Sequence, residues 1–357
     1  MQRTSSPVRA KSGTPAFAAA VVRWQKSHGR HGLPWQNTRD VYRIWLSEIM
    51  LQQTQVAAVI PYYERFLKRF PTLAALAAAD EDDVLALWSG LGYYSRARNL
   101  HRAAQQIAAQ HSGIFPNDFD AVLELPGVGR STAAAICVFA FGARHAILDG
   151  NVKRVFARCF GVAGYPGDSA VADALWAHAD HLVPAKNVEA YTQGLMDLGA
   201  GICTRTKPRC DDCPLATRCV ALKQKAVARY PSPRPRKVLP QRRTRMLVML
   251  HAGQVLLEKR PGSGIWGGLW SLPEAGEKES VDACAARYGV KVATQKALPE
   301  VAHGFTHFLL AIEPVRVMVK KPDLHAASPG VMWLSLDDAQ GAALPAPVRR
   351  ILAAVEA

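Results

Sequence analysis

Apolar residues recur three and four positions apart from Phe17 to about Leu222, a pattern that predicts a long run of amphipathic helices. The windows are rich in Ala and Leu, and Pro61, Pro71, Pro116, Pro166 and Pro184 break them as turns or first helical positions. The period then changes. From Ala226 to Arg245, Pro231, Pro233, Pro235 and Pro240 stand among Arg and Lys, a composition that packs no core and predicts an extended basic linker. Beyond it, Met246–Leu250 and Gln254–Lys259 are short apolar strands around His251-Ala252-Gly253, a hairpin signal. Further strands are expected over Phe305–Ile312, Val315–Val319 and Val331–Leu334, with helices near Ser280–Tyr288 and Val348–Val355. The chain therefore divides into a tail (1–16), an all-α module (17–225), a linker (226–245) and a smaller α+β module (246–357). The opening MQRTSSPVRAKSGT has Arg, Lys and Ser without acids, yet no signal-peptide core and no amphipathic helix, and is read as a disordered tail.

Charge narrows the partner. A formal net charge of +15 over 357 residues favours a polyanion, because a fixed positive field attracts phosphates. No apolar run approaches the roughly 20 residues of a membrane span, so no membrane partner is expected. Of seven cysteines, Cys203, Cys210, Cys213 and Cys219 crowd into one segment, which argues for a metal centre in a reducing compartment rather than a disulfide framework. Cys137, Cys159 and Cys284 read as core thiols.

The turn Leu125-Pro126-Gly127-Val128-Gly129 opens a helix expected over Arg130–Phe141. Glycines there let the backbone turn tightly and leave amides pointing outward, which suits an anion as well as a plain helix-opening turn. Downstream, Asp149 ends the apolar run Ala146-Ile147-Leu148. It, or Asn151, reads first as an N-cap; it can also stabilise a positive sugar centre. On a helix, Glu48 has Ile44 and Trp45 one turn before it and Leu51 one turn after it. Such a Glu can sit at a helix edge with its head in water; desolvated, it favours the neutral acid, and Glu48 and Asp149 would then form the acid and anion pair of glycosidic cleavage, if they meet. The polar run Gln52-Gln53-Thr54-Gln55 interrupts the apolar pattern, with side chains that can reach into a duplex.

The spacing Cys203-x6-Cys210-x2-Cys213-x5-Cys219 is neither a ferredoxin run nor a zinc ribbon, and leaves zinc and iron–sulfur both open. Arg205, Lys207, Arg209, Arg218, Lys223 and Lys225 make that loop a basic knob suited to phosphates. Tyr93-Tyr94 falls in a turn between helices beside Arg96 and Arg98, where aromatics can wedge between bases or pack in a core. The stretch from Arg260 through Trp266-Gly267-Gly268 to Glu274 resembles the start of a Nudix domain. Its expected helix, around Cys284–Gly289, lacks the carboxylate cluster that holds a divalent cation, so metal-dependent hydrolysis is not expected. His303 and His307 lack a nearby third ligand.

Taken together, the motifs resemble the adenine DNA glycosylases of the MutY type, from about Leu33 to the C-terminus. LPW (Leu33–Trp35), WLSEIMLQQTQV (Trp45–Val56), GLGYYSRARNL (Gly90–Leu100), LPGVGRSTA (Leu125–Ala133), LDGNVKRV (Leu148–Val155), MDLGA (Met196–Ala200) and the four cysteines occur in order. The resemblance implies a multidomain protein: an all-α helix-hairpin-helix glycosylase core with a 4Fe-4S cluster on Cys203, Cys210, Cys213 and Cys219, and an α+β Nudix-like domain that recognises 8-oxoguanine. The implied reaction is removal of adenine mispaired with 8-oxoguanine or guanine in double-stranded DNA, by a monomer in the cytoplasm at the nucleoid. Carried onto matching positions, Glu48 protonates the leaving adenine, Asp149 stabilises the sugar cation and Asn151 stands beside it. Gln36 and Gln193 would read the flipped adenine, Gln53 and Tyr93 would support the distorted duplex, and Gly127 and Gly129 would hold phosphates. Phe305-Thr306-His307 matches the 8-oxoguanine loop, where Ser is the usual middle residue. Ser131 stands where the strand-cleaving relatives, such as endonuclease III, carry a Lys, and a hydroxyl forms no Schiff base, so a monofunctional glycosylase is expected.

Overall fold

The computed structural model describes residues 14–235, 238–320 and 330–356. The expected tail falls outside them as far as residue 13. In chain order the helices before the linker are α1 (Thr14–His28), α2 (Val41–Leu51), α3 (Val56–Arg69), α4 (Leu73–Ala77), α5 (Glu81–Trp88) and α6 (Ser95–Gln110). They continue with α7 (Phe119–Leu123), α8 (Arg130–Phe141), α9 (Gly150–Phe160), α10 (Ser169–Leu182), α11 (Val188–Asp197) and α12 (Val220–Lys223). A π-helical turn spans Leu198–Ile202. Then come β1 (Gln241–His251), β2 (Gln254–Lys259), β3 (Trp270–Ser271), β4 (Glu274–Ala275), α13 (Val281–Ala286), β5 (Lys291–Ala297), β6 (Val301–Gly304), β7 (Leu309–Lys320), β8 (Val331–Ser335), α14 (Leu336–Gly341) and α15 (Ala346–Glu356).

Backbone contacts divide the chain into two compact units, each built from two segments: Met1–Gln55 with Gln106–Pro235, and Val56–Gln105 with Arg236–Ala357. The first unit is helical. Its helices start where short polar side chains take up free amides: Asp40 accepts from Tyr42 N and Arg43 N ahead of α2, and Asp118 accepts from Asp120 N and Ala121 N ahead of α7. Its core gathers Phe17, Val21, Val155, Phe156, Leu175, Tyr191 and Leu195, with Phe17 edge-on to Phe156 at 6.0 Å. Helix α9 ends at Gly161, whose φ of 66° is left-handed and whose missing Cβ would sit 2.8 Å from Val220 Cγ1. Only glycine meets both demands.

In the second unit, α3, α5 and the start of α6 enclose Phe66, Phe70 and Trp88, all fully buried. Trp88 stands edge-on to Phe66 at 6.1 Å. The same unit carries a mixed sheet of order β3-β2-β1-β7-β5, with β4 on β1, β6 on β7 and β8 on β2. Strands β1 and β7 run parallel from the pair Gln241–Leu309 to Leu250–Met318, and the other pairings are antiparallel. Leu247, Met249, Leu256 and Val317 form its core with Cys284 and Ala285 of α13.

The structure departs from the sequence expectations in places. Pro61 lies inside α3 rather than at a turn; it and Ala57 are exposed, so water can take the carbonyl left without a partner. Strand β1 begins at Gln241, inside the stretch read as linker. The two strands expected over 305–312 and 315–319 are one, β7, which starts only at Leu309 and runs through Pro314. Phe305–Phe308 is instead the loop between β6 and β7, closed by Phe305 N donating to Phe308 O at 2.9 Å. Among the described residues, no helix is long and apolar enough to cross a membrane.

Candidate active site

The turn between α7 and α8 is built as its residues require. Leu125 and Val128 are buried, while Gly127, Gly129 and Arg130 are exposed, so two side chains anchor a turn whose glycines face outward. Gly127 has φ 80°, and Gly129 caps α8 without a side chain to compete for the amides. Gln52, just past α2, donates through Nε2 to Gly127 O at 3.2 Å and to Thr132 Oγ1 at 3.3 Å, tying α2 to the turn. Gln53 follows, exposed and left-handed at φ 58°, so the polar run is a turn and not a helix continuation.

Glu48 lies on α2 beside Ile44 and Trp45, both buried. Burial, and after it the charge of Asp149, raise its pKa from 4.5 to about 8, which keeps the carboxyl protonated at neutral pH. The two acidic side chains, far apart in the chain, therefore interact. Asp149 is the N-cap of α9: Oδ1 accepts from Val152 N at 2.7 Å and Oδ2 from Asn151 Nδ2 at 3.3 Å. Burial pushes its pKa upward too, opposed by those hydrogen bonds and by the Arg154 charge. The capping reading thus holds for Asp149. Ser131, on the first turn of α8, accepts from Leu148 N at 3.0 Å and fixes the extended segment that delivers Asp149.

Gln36 and Gln193 meet through residues that sequence reasoning missed. Gln36 accepts from Leu33 N and donates to Arg30 O, each at 3.0 Å. Arg30 in turn donates to the buried carboxylate of Asp197 through N at 2.9 Å and Nε at 2.6 Å, and Gln193 Nε2 donates to Asp197 Oδ1 at 2.8 Å. Asp197 lies one turn after Gln193, a helical spacing that was available as a signal; Arg30 offered none.

After Asp197 the π-helical turn brings Gly199 against the site. A Cβ there would stand 2.4 Å from Asn151 Cβ, so the approach requires glycine. Arg154 spans the same space, donating to Asn151 Oδ1 at 2.9 Å, Gly199 O at 2.6 Å and Cys203 O at 2.7 Å. A π turn placed where a chain must bend at a site is a recurrent device.

The four cysteines line one cavity with Arg158, Cys159 and Leu215. Among the described residues no three His, Cys, Asp or Glu side chains converge to hold a single metal ion. Arg158 Nη1 stands 3.2 Å from Cys203 Sγ, a charge-assisted donor suited to a thiolate. Cys159 first, then amides of Leu222 and Ala221, hold the Cys219 thiol down to about 6 against its burial. Burial pushes Cys213 up to about 11 instead, so a bound cationic group would be what keeps it a thiolate. The six basic residues around the loop are exposed.

The remaining expected site residues lie in the second unit. Tyr93, between α5 and α6, is 47% exposed and left-handed at φ 50°. Buried Arg96 stands 5.6 Å from its ring and donates to Gly92 O at 3.0 Å, and Trp88 Nε1 donates to the same carbonyl at 3.2 Å. Phe305 stacks on Phe308 at 4.4 Å, leaving Thr306 and His307 exposed at the loop tip. His303, on β6, is edge-on to Phe305 at 4.7 Å.

This fold and site define a class, the helix-hairpin-helix base-excision glycosylases with a Nudix-like module. The family model described as the HhH-GPD superfamily base excision DNA repair protein matches residues 46–180, and the NUDIX domain model matches 245–354. A thermostable thymine-DNA glycosylase superposes with a TM-score of 0.53 at 29% identity, over 59% of this chain and 97% of that one. An endonuclease III bound to DNA shares the fold, with a TM-score of 0.52 at 21% identity, over 61% of this chain and 99% of that one. The adenine DNA glycosylase of Buchnera aphidicola subsp. Acyrthosiphon pisum is 37% identical, over 94% of this chain and 96% of that protein. The adenine DNA glycosylase of Homo sapiens is 30% identical, over 94% of this chain and 73% of that protein. The chain belongs to the adenine DNA glycosylase family, hydrolases of the HhH-GPD superfamily.

Proposed function

We propose that this chain is a monofunctional glycosylase that hydrolyses the N-glycosidic bond of adenine opposite 8-oxoguanine, and opposite guanine, in double-stranded DNA. The observation that carries the reading is the pair itself: Glu48 kept neutral, with a pKa of about 8, beside the charge of Asp149. A neutral carboxyl acid beside a second carboxyl that is hydrogen-bonded to Val152 N and Asn151 is the pair that acid-assisted departure through an oxocarbenium-like state needs.

A paired adenine is out of reach, so the nucleotide must leave the stack, with Gly127 and Gly129 amides on its phosphates and Gln53 and Tyr93 supporting the distorted duplex. Gln36 and Gln193, held through Arg30 and Asp197, read the base edge by exchanging their present hydrogen bonds. Glu48 gives its proton to the base, which departs neutral. Asp149, whose carboxylate form Val152 N, Asn151 and Arg154 favour against its burial, stabilises the sugar cation until water adds. Ser131 has no amine for a Schiff base, so the strand stays intact. Adenine is an ordinary base and the damage is visible only across the helix; Phe305, Thr306 and His307 supply that recognition, with Thr306 keeping a hydroxyl where Ser is usual. The protein acts as a monomer at the nucleoid, and its removal of the mispaired adenine prevents G:C to T:A transversions.

Cys203, Cys210, Cys213 and Cys219 would hold a 4Fe-4S cluster. When bound it would cross-link the loop that begins where Arg154 is anchored. Free adenine released from an A:8-oxoguanine duplex, against an A:T control, tests the reading. Release from neither duplex, or equally from both, sinks it.

A further inference from the structure

Three contacts within the second unit join α5, the turn after it and α6 to the C-terminal module. Asp82 accepts from Lys259 Nζ at 2.6 Å and from Trp270 Nε1 at 3.3 Å. Leu344 O accepts from Ser89 Oγ at 2.9 Å and from the Tyr94 hydroxyl at 3.2 Å, and Arg349 donates to Ser89 Oγ at 2.9 Å. Arg98, on α6, donates to Gly267 O.

The third contact differs from the others in what adjoins it. Trp266 is only 8% exposed and has a left-handed backbone at φ 53°. For a bulky residue that conformation costs on the order of 1–3 kcal/mol and persists only where the surroundings enforce it. Here they do. The indole lies 5.6 Å from the Phe305 ring and 5.7 Å from His303. On the other side of the same turn, a Cβ on Gly268 would come within 3.2 Å of Glu81 Oε1 and 3.5 Å of Leu85 Cδ1, so the turn lies tight against α5. The Trp266–Gly268 turn thus holds the recognition loop by its indole and α6 by its carbonyl. Tyr93 lies just ahead of α6, with Arg96 and Arg98 following it on the first turns of that helix.

We infer that Trp266 and Arg98 are positioning residues that couple the Phe305–His307 loop to the Tyr93 wedge. The inference rests on the reading of that loop as the 8-oxoguanine sensor. A base that fits the loop presses Phe305 onto the indole, the left-handed turn transmits the fit to Arg98, and α6 sets the Tyr93 turn for insertion. An opposite guanine, engaging the loop less, leaves the wedge unset. The coupling raises the rate on the lesion and leaves the chemistry at Glu48 untouched.

The test is single-turnover adenine release from A:8-oxoguanine and A:G duplexes, with 2-aminopurine beside the mismatch reporting unstacking by Tyr93. Arg98→Ala and Trp266→Leu should each lower the ratio of the two rates about fivefold or more, with the A:G rate changed less than about twofold, and should remove the extra 2-aminopurine signal on the lesion duplex. Arg98→Lys keeps a donor for Gly267 and should restore both readouts, which a general folding defect would not allow. Combining Arg98→Ala with Phe305→Ala should be no worse than Phe305→Ala alone, because both break one path. Additive losses, or an unchanged ratio in Arg98→Ala while Phe305→Ala lowers it, overturn the coupling and leave the sensor standing. If Phe305→Ala and Thr306→Ala both leave the ratio unchanged, the sensor reading fails and the coupling goes with it.

Discussion

The charge of Asp149 helps hold the proton on Glu48, across a separation in sequence that nothing local announces. With the Glu48 pKa at about 8, the acid is present at neutral pH and is lost as pH rises through that value. The rate of base release should therefore fall tenfold per pH step above about 8. An acidic limb should appear where Asp149 takes a proton, above the ordinary carboxylate range because its pKa is raised. The two limbs belong to the pair jointly. Single-turnover rates across pH check this, and a flat profile through 8 would remove Glu48 as the acid.

Glu48→Gln should abolish adenine release while changing DNA affinity less than about tenfold, roughly 1.4 kcal/mol. Parallel loss of binding and activity would mark Glu48 as structural.

The same substitution should alter stability in a pH-dependent way. Between 4.5 and about 8 the folded state holds a proton that the unfolded chain has released, so wild-type stability falls as pH rises through that window. Glu48→Gln lacks this slope, and its advantage in Tm should grow across the window. Thermal melts at its two ends give the comparison; a constant difference would mean that the carboxyl is not shifted.

Ser131→Lys places an amine beside the segment that delivers Asp149 and removes the acceptor of Leu148 N. Borohydride should then trap a covalent adduct with DNA that the wild type does not form. Ser131→Ala leaves the Leu148 amide without its partner, should cost about 1 kcal/mol of stability and should form no adduct.

Arg154 bonds Asn151, Gly199 and the Cys203 carbonyl together. Arg154→Gln should slow base release at least about tenfold with little change in binding, because Asp149 loses its support rather than its charge. If the four thiols hold the proposed cluster, its oxidative loss, followed by the bleaching of its visible absorption, should lower activity by a similar factor. Activity that survives complete bleaching would separate the thiol loop from the site.

Much of this was legible in the sequence, for local reasons. Helix α8 spans Arg130–Phe141 as expected, because a glycine turn opens it and Gly142, left-handed at φ 69°, closes it. Hairpin β1–β2 was readable from Ala252-Gly253, both at positive φ. Strand β5 was missed because six of its seven residues are exposed, so alternation carries no signal. The site was half legible. Glu48 and Asp149 were marked by their apolar surroundings, whereas Arg30 and Asp197, 167 positions apart, show nothing of their pairing until the chain folds. Gly199 drew no comment beyond its motif, and its closeness to Asn151 explains why a glycine stands there.

The composition of the second unit carries a consequence for biosynthesis. Helices α3 and α5 leave the ribosome well before the strands that complete their unit. Asp82, Ser89 and Arg98 must wait, solvated and unmated, through the emergence of more than a hundred further residues. A message cut short downstream of the catalytic motifs would therefore yield a product whose early helices never find their other half, and damage far from the chemistry would be read first by proteases.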